Sequence, residues 1–493
     1  MKDTVRDTGN LAYIICFWEG VGNLLPWNAF ITASSYFGDR FCGTAYADTF
    51  MNYFSFSYTF SQTIGLLGTI YYLQNVPVNI KVIYPLILYS TIFAAITILV
   101  TSDMNGEALF WITLIATFLS GLCGSMLTGG LFGVSAHLPP KYTAALCVGQ
   151  GLAGLGVSLC GLVTIAAGPD TSSCTEDALE DSSCDFKVNY SALAYFMIST
   201  LVLFSCVFSF IAFLKLPFTR YYLDVAEPKD VGSNPMIEKN SKTEKLLVFD
   251  QACAESTVTV ISAIHVQDSS CDDGEVVVDN NSSHGMLRSL CEKNKEGDAS
   301  DLNSADSQTF ARVLRVLWII RIPAFSVFFI YVVSIGLFPA LVVLIESDQK
   351  CNTNDRFHND LYVPFLFVIW NLFDFAGRVF GGQYPSIFKL NAHNIWIASV
   401  SRVVFFPLFL FCNVSENQLP VLFKSCAFPI LFIAGCASTN GYVSTLSMMF
   451  GPSLADNDDA SLAGNIMVFC LTAGLLTGAL LSFLVVFIAQ GTI

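Results

Sequence analysis

The chain has 493 residues, 54% of them hydrophobic and only 13% charged, with a formal net charge of −15. So few charges in so apolar a chain exclude a large soluble core and indicate a polytopic membrane protein. Nor does the negative charge describe one broad acidic face: residues 218–315 hold 17 acidic and 10 basic side chains, which places −7 of it in a single segment.

Apolar segments of membrane-spanning length recur at about 11–33, 50–72, 82–101, 109–136, 142–168, 191–214, 316–344, 362–383, 393–412, 421–450 and 461–489. Eleven helices in an all-α membrane protein are therefore expected. The first run follows a short polar head and lacks a small-residue cleavage site, so it reads as a retained span. It carries Glu19, Pro26 and Trp27. Glu19 has three readings: a proton carrier, a neutral buried acid, or an interfacial group. Pro26 removes a backbone donor and can bend the helix, and the flat ring of Trp27 either stacks on a flat ligand or packs against that bend.

The fourth and fifth segments are rich in glycine, and Gly149-Gln-Gly-Leu-Ala-Gly154 matches a dinucleotide-binding string. That chemistry needs a strand, a tight turn and a helix N-terminus. Here the glycines sit inside an apolar helix, where small residues let helices approach closely. Gln150 stands out on that surface, as the partner of a hydrogen-bonding solute or of a neighbouring helix. The next loop holds Cys174 and Cys184, the best disulfide candidates, and the glycosylation sequon at Asn189; Cys42 and Cys351 are alternatives or a second pair. The remaining cysteines lie mostly within apolar runs without metal spacing.

Residues 218–315 are polar and lack sustained periodicity, and are expected to be a largely disordered loop between bundles at 1–217 and 316–493. Lys215, Arg220, Arg312 and Arg315 flank this loop and favour a cytoplasmic position for it and for the N-terminus, with the C-terminus outside. The sequons at Asn189 and Asn413 then fall on the outer side.

The eighth segment contains Asn371, Asp374 and Arg378 in a stretch otherwise apolar enough for a bilayer. An ionised side chain at that depth costs roughly 3 kcal/mol or more and usually faces protein or a water-filled cavity. At about 100° per residue the three share one helix face within about 60°. They form either a structural ion pair or the lining of a solute pathway. The tenth segment adds a polar patch, Asn440-Gly-Tyr-Val-Ser-Thr445. No nucleophile, metal-ligand or phosphate-loop motif is present, so neither enzymatic activity, a cofactor nor a metal is expected.

Together these segments resemble the equilibrative nucleoside transporter family. The resemblance rests on Gly20-Val-Gly-Asn-Leu-Leu-Pro-Trp-Asn28 with Ile31 to Phe37, Tyr142-Thr-Ala with Gly149 to Gly154, Phe338-Pro339, Trp370-Asn-Leu-Phe-Asp-Phe-Ala-Gly-Arg378, Arg402 to Asn413, and Asn440 to Pro452. It implies a major-facilitator-like fold of six plus five helices and facilitative transport of nucleosides, with nucleobases as further candidates, by alternating access. It also implies ribose contacts at Asp374 and Arg378, a nucleobase contact at Gln150, and an apolar wall including Leu24, Trp27 and Ile31. Glu19 departs from the apolar residue of mammalian members and raises proton coupling as an alternative to simple uniport. The expected setting is the plasma membrane, with the lipid bilayer and the solute as partners and no nucleic acid or obligatory protein partner. A transporter of another organic solute, such as an organic cation or sugar, and a membrane receptor or scaffold are the competing readings.

Overall fold

The computed structural model describes residues 6–46, 50–72, 76–168, 190–226, 309–350 and 355–490. These are helical apart from turns and two isolated bridges, with no β-strand among them. In the first half the helices are α1 (Leu11–Thr32), α2 (Ser34–Arg40), α3 (Phe50–Tyr71), α4 (Val78–Val100), α5 (Gly106–Ser135), α6 (Pro140–Ala167), α7 (Tyr190–Lys215) and α8 (Pro217–Ala226). After a further helical stretch at 309–319 come α9 (Arg321–Leu337), α10 (Tyr362–Gln383), α11 (Ile395–Ser401), α12 (Phe405–Leu410), α13 (Ala427–Ser453) and α14 (Ala460–Gln490). The described residues within 1–226 and 309–493 form one compact unit; 227–308 lie outside the described residues.

Seven of the described helices are long and apolar enough to cross a membrane: α4, α5, α6, α7, α9 with its extension to Leu344, α10 with its preceding turn, and α14 with its preceding turn. Helices α1, α3 and α13 are long enough at 22, 22 and 27 residues. Their sequences are diluted by polar groups such as Glu19, Asn23 and Asn28 in α1. The expected span at 393–412 is broken: a 3₁₀ turn at Arg402–Val404 separates α11 from α12. Outward-facing Phe56, Ile98, Phe204 and Leu480 are 56–69% exposed. So many exposed large apolar groups suit a lipid-facing surface, since soluble monomers rarely carry extended apolar patches.

Both ends of the expected 218–315 loop are helical rather than irregular. Pro217 starts α8 at a position where its missing N–H costs nothing. Phe218 is buried, with its ring 5.0 Å from Tyr142 and 4.9 Å from Tyr222. The mixture of Arg220, Asp224 and aromatics that reads as loop in sequence is here a short amphipathic helix.

Within the first half α1 packs on α6 and α7, α3 on α5, and α4 on α5 and α7. In the second, α10 packs on α13, and α9 on α11, α13 and α14. The halves meet where α6 contacts α10 and α13, and where α14 contacts α3 and α5. Two crossings depend on glycine. A Cβ on Gly20 would lie 2.2 Å from the Leu146 carbonyl oxygen, and one on Gly149 2.0 Å from that of Phe17. The α10–α13 crossing repeats the arrangement, with Gly377 against Ser438 at 2.2 Å and Gly441 against Asp374 at 2.0 Å. Only a side chain of hydrogen permits such backbone contact. The glycine-rich string of α6 is thus a packing surface, as its apolar context implies.

Candidate functional site

Asp374 and Arg378 stand one turn apart on α10, and packing against α6, α9 and α13 buries them to 7% and 6% exposure. Arg378 Nε donates to Asp374 Oδ2 at 2.7 Å. The guanidinium also donates from Nη1 to the Cys147 carbonyl on α6 at 3.2 Å and from Nη2 to the Tyr331 hydroxyl on α9 at 3.4 Å. One side chain therefore ties α10 to the other half of the molecule. Gly151 makes this possible, because a Cβ there would lie 2.8 Å from Arg378 Cδ. One turn away, Gly154 faces the Asn371 amide, whose nitrogen donates to Phe367 O at 2.9 Å.

The other carboxylate oxygen, Asp374 Oδ1, accepts from Asn440 Nδ2 at 2.6 Å. Asn440 Oδ1 in turn accepts from the Ser334 hydroxyl at 2.6 Å, and Ser334 Oγ accepts from Arg402 Nη2 at 2.7 Å. Arg402, 1% exposed, also donates to the carbonyls of Ile330 at 3.0 Å and Cys436 at 3.1 Å and to Thr439 Oγ1 at 3.2 Å. The result is a continuous polar chain from the α11–α12 break through α9 and α13 to α10 and α6. Such buried networks hold their members in place when every group is partnered. The chain supplies carboxylate oxygens and guanidinium donors that can exchange partners with the hydroxyls of an entering solute.

Gln150 immediately precedes Gly151 on α6 and is half-buried. Leu24, Trp27 and Ile31 fall on one stripe of α1, with Ile31 39% exposed. Trp27 stacks on Tyr58 of α3, ring centroids 4.2 Å apart and planes 16° apart, so one face of the indole is already covered. The structure thus brings Asp374, Arg378 and the Gln150–Gly151 step of α6 together, and places Trp27 of α1 against α3.

Glu19 lies elsewhere. It is 2% exposed, its Oε1 accepts a hydrogen bond from the Ser209 hydroxyl of α7, and its Oε2 has no partner among the described residues. It borders a cavity of about 10 Å³ with Cys16, Ser135 and Phe210, close to the least volume that admits a water. At 2% exposure Glu19 is enclosed by protein rather than open at a surface.

Two ends of the junction between halves differ. At one end Arg356 donates to the last carbonyls of α6: Nη2 to Ile165 at 3.0 Å, and Nη1 to Ala166 at 3.2 Å and Gly168 at 3.1 Å. Asp360 holds the same guanidinium at 2.8 Å. A cation at a helix C-terminus meets both free carbonyls and the negative end of the helix dipole. At the other end a cavity of about 280 Å³ opens between the α5–α6 turn and the α13–α14 turn, lined by His137, Thr143, Tyr222, Met449 and Asn457 among others.

The disulfide candidates Cys174 and Cys184, the alternative Cys351, and the sequon at Asn189 lie outside the described residues. Asn413 is described: its Nδ2, the atom a glycan would take, donates to Glu346 O at 3.1 Å. Sequence reasoning missed Tyr331, Ser334 and Arg356. It named Arg402 only as the start of a matching stretch and gave it no role, although it carried the same signal as Arg378, a charge in an apolar run.

The fold is similar to that of solved major-facilitator proteins. It aligns with the proton:xylose symporter XylE, a major facilitator superfamily protein, over 95% of this chain and 86% of that one, with a TM-score of 0.54 at 11% identity. It also aligns with the E. coli fucose:proton symporter FucP, with a TM-score of 0.50 at 12% identity, over 97% and 95% of the two chains. The chain belongs to the nucleoside transporter family, whose model matches residues 114–487. It is 29% identical to equilibrative nucleoside transporter 1 of Rattus norvegicus and 28% identical to that of Homo sapiens, over 97% of each chain. It is 23% identical to equilibrative nucleotide transporter 1 of Arabidopsis thaliana, over 98% of this chain and 87% of that one.

Proposed function

We propose that the chain carries nucleosides across a membrane, down their gradient, by alternating access around the junction of α6 and α10. The observation that carries this reading is Arg378: one buried side chain pairs with Asp374 and reaches the Cys147 carbonyl of the opposite half. A solute whose hydroxyls compete for Asp374 and Arg378 changes the contact between halves as it binds, which is the differential interaction that a conformational cycle requires. Ribose supplies such hydroxyls. Gln150, next to the Arg378 approach, faces the base edge, and Leu24, Trp27 and Ile31 supply the apolar wall.

The helix count completing this reading is eleven: the seven apolar helices together with α1, α3, α13 and the α11–α12 pair, divided six and five about 227–308. The N-terminus and that segment are cytoplasmic and the C-terminus is outside, in the plasma membrane. Cys42, in the loop after α2, is disulfide-bonded, which suits the oxidising outer side assigned to it. Arg356 then closes the outer end while the cavity of about 280 Å³ marks the inner one, so the conformation described is closed to the outside.

Glu19 supports a second form of the same function, in which a proton accompanies the solute, because a buried acid with an unpartnered oxygen is an unusual thing to retain in a bilayer. Uptake of radiolabelled uridine and adenosine into proteoliposomes over a pH series tests both forms. Saturable uptake supports transport, a response to an imposed proton gradient supports coupling, and absence of competable flux from folded protein refutes both.

A further inference from the structure

Three metal-ligating side chains from three separate segments converge away from the transport junction. Asp348 sits in the turn after α9, His358 in the turn Phe357–Leu361 that leads into α10, and Cys426 at the N-cap of α13. One ligand atom from each lies within 4.8 Å of the others. Cys426 Sγ donates to Asp348 Oδ1 at 2.8 Å, and Ser347 Oγ meets both His358 Nδ1 at 2.7 Å and Cys426 Sγ at 3.3 Å. Ser347 is 4% exposed, so its hydroxyl is a fixed post between the thiol and the imidazole.

The scaffold around these groups is tied down by backbone. Glu346 N donates to Asn413 O at 2.9 Å and Ser415 N to Leu344 O at 2.7 Å, which fastens the turn bearing Asp348 to the chain after α12. The Tyr362 hydroxyl donates to the Cys426 carbonyl at 3.2 Å, which fastens the α13 N-cap to α10. The nearby cation Lys350 is occupied by Glu346 at 2.8 Å. Asp348 is exposed and the other two ligands are half-buried, so the group is open to solvent on one side.

We propose that Asp348, His358 and Cys426 bind a divalent thiophilic cation, with Zn²⁺ the best fit. Thiolate, imidazole and carboxylate together are the donor set that zinc prefers, at about 2.0 to 2.3 Å from the metal. Tetrahedral angles at those lengths put ligand atoms about 3.5 Å apart. The thiol and carboxylate therefore separate by less than an ångström as the metal replaces the proton between them, and that proton leaves to solvent. Three protein ligands leave the fourth position to water on the exposed side. The bound ion ties the leading ends of α10 and α13, the two helices that carry Asp374 and Asn440.

The test uses tag-free full-length protein in detergent, titrated calorimetrically with Zn²⁺, and with Cd²⁺ to read the thiolate-to-metal charge-transfer band in the ultraviolet. The expected result is one site per chain with that band present. Asp348→Asn, His358→Ala and Cys426→Ser should each weaken Zn²⁺ binding about 10-fold or more, and Cys426→Ser should remove the band. Glu416→Gln, an exposed acid outside the group, should leave both unchanged. Asp348→Asn keeps an acceptor for the thiol at an exposed position, so it reports even if another variant folds poorly. Absence of stoichiometric binding or of the band in the unaltered chain, or variants that bind like it, would overturn the proposal.

Discussion

Asp374→Asn changes one oxygen of the central pair to an amide nitrogen with almost no change in volume. In the native chain both carboxylate oxygens are used, one by Arg378 Nε at 2.7 Å and the other by Asn440 Nδ2 at 2.6 Å. An asparagine that keeps its oxygen toward Arg378 turns its NH₂ toward that of Asn440, two donors face to face. The alternative turns the NH₂ toward the guanidinium. Either way Arg378, 6% exposed, loses its counter-charge. Removing one partner of a buried ion pair costs about 3 to 5 kcal/mol, which is at least about 100-fold in an equilibrium governed by that pair. If the pair both binds solute and couples the halves, uridine uptake by reconstituted protein should fall about 100-fold or more per folded molecule. Folding is checked by thermal melting of the same preparation. Uptake within twofold of the unaltered chain, with unchanged KM, would show that the charge is only a packing device and would refute the site assignment.

Arg356→Ala removes the donors that hold the end of α6. At a partly exposed position these are worth about 1 to 2 kcal/mol together, so the closed state at that end should lose about 10-fold in population. The apparent KM for nucleoside presented from that side should fall, and an unchanged KM would count against the gate. Gly441→Ala would place a Cβ 2.0 Å from the Asp374 carbonyl. It should cost about 1 to 3 kcal/mol and lower both the melting temperature and uptake, whereas Gly156→Ala, with nothing within 4 Å, should be neutral. Glu19→Gln keeps the bond to Ser209 while removing a titrating group. If Glu19 carries the coupled proton, the pH dependence of uptake should flatten; an unaltered pH profile ends that role.

The sequence made Asp374 and Arg378 legible because charges in an apolar run are conspicuous, and Asn440 because it interrupts α13. The angular placement of Asp374 and Arg378 on α10 follows from helical periodicity alone. The polar chain through Tyr331 and Ser334 was hidden, since one hydroxyl in a membrane helix is commonplace and only the α9–α13 packing reveals its partner. Arg402 was legible in kind and opened one of the matching stretches yet received no role, because the span at 393–412 gave no sign of breaking at that residue. The role of Arg356 depends wholly on tertiary placement: nothing near it in sequence indicates that the end of α6 lies within reach. Glycines gave the opposite case, in which the pattern in α6 predicted close packing and the contacts at Gly149 and Gly151 realise it.

Counterflow measures transport most directly. Purified chain in liposomes preloaded with unlabelled uridine should accumulate radiolabelled uridine transiently above its equilibrium level, and excess adenosine should abolish the overshoot. Uptake that follows the protein-free control at every time point, from protein shown to be folded, would contradict the account.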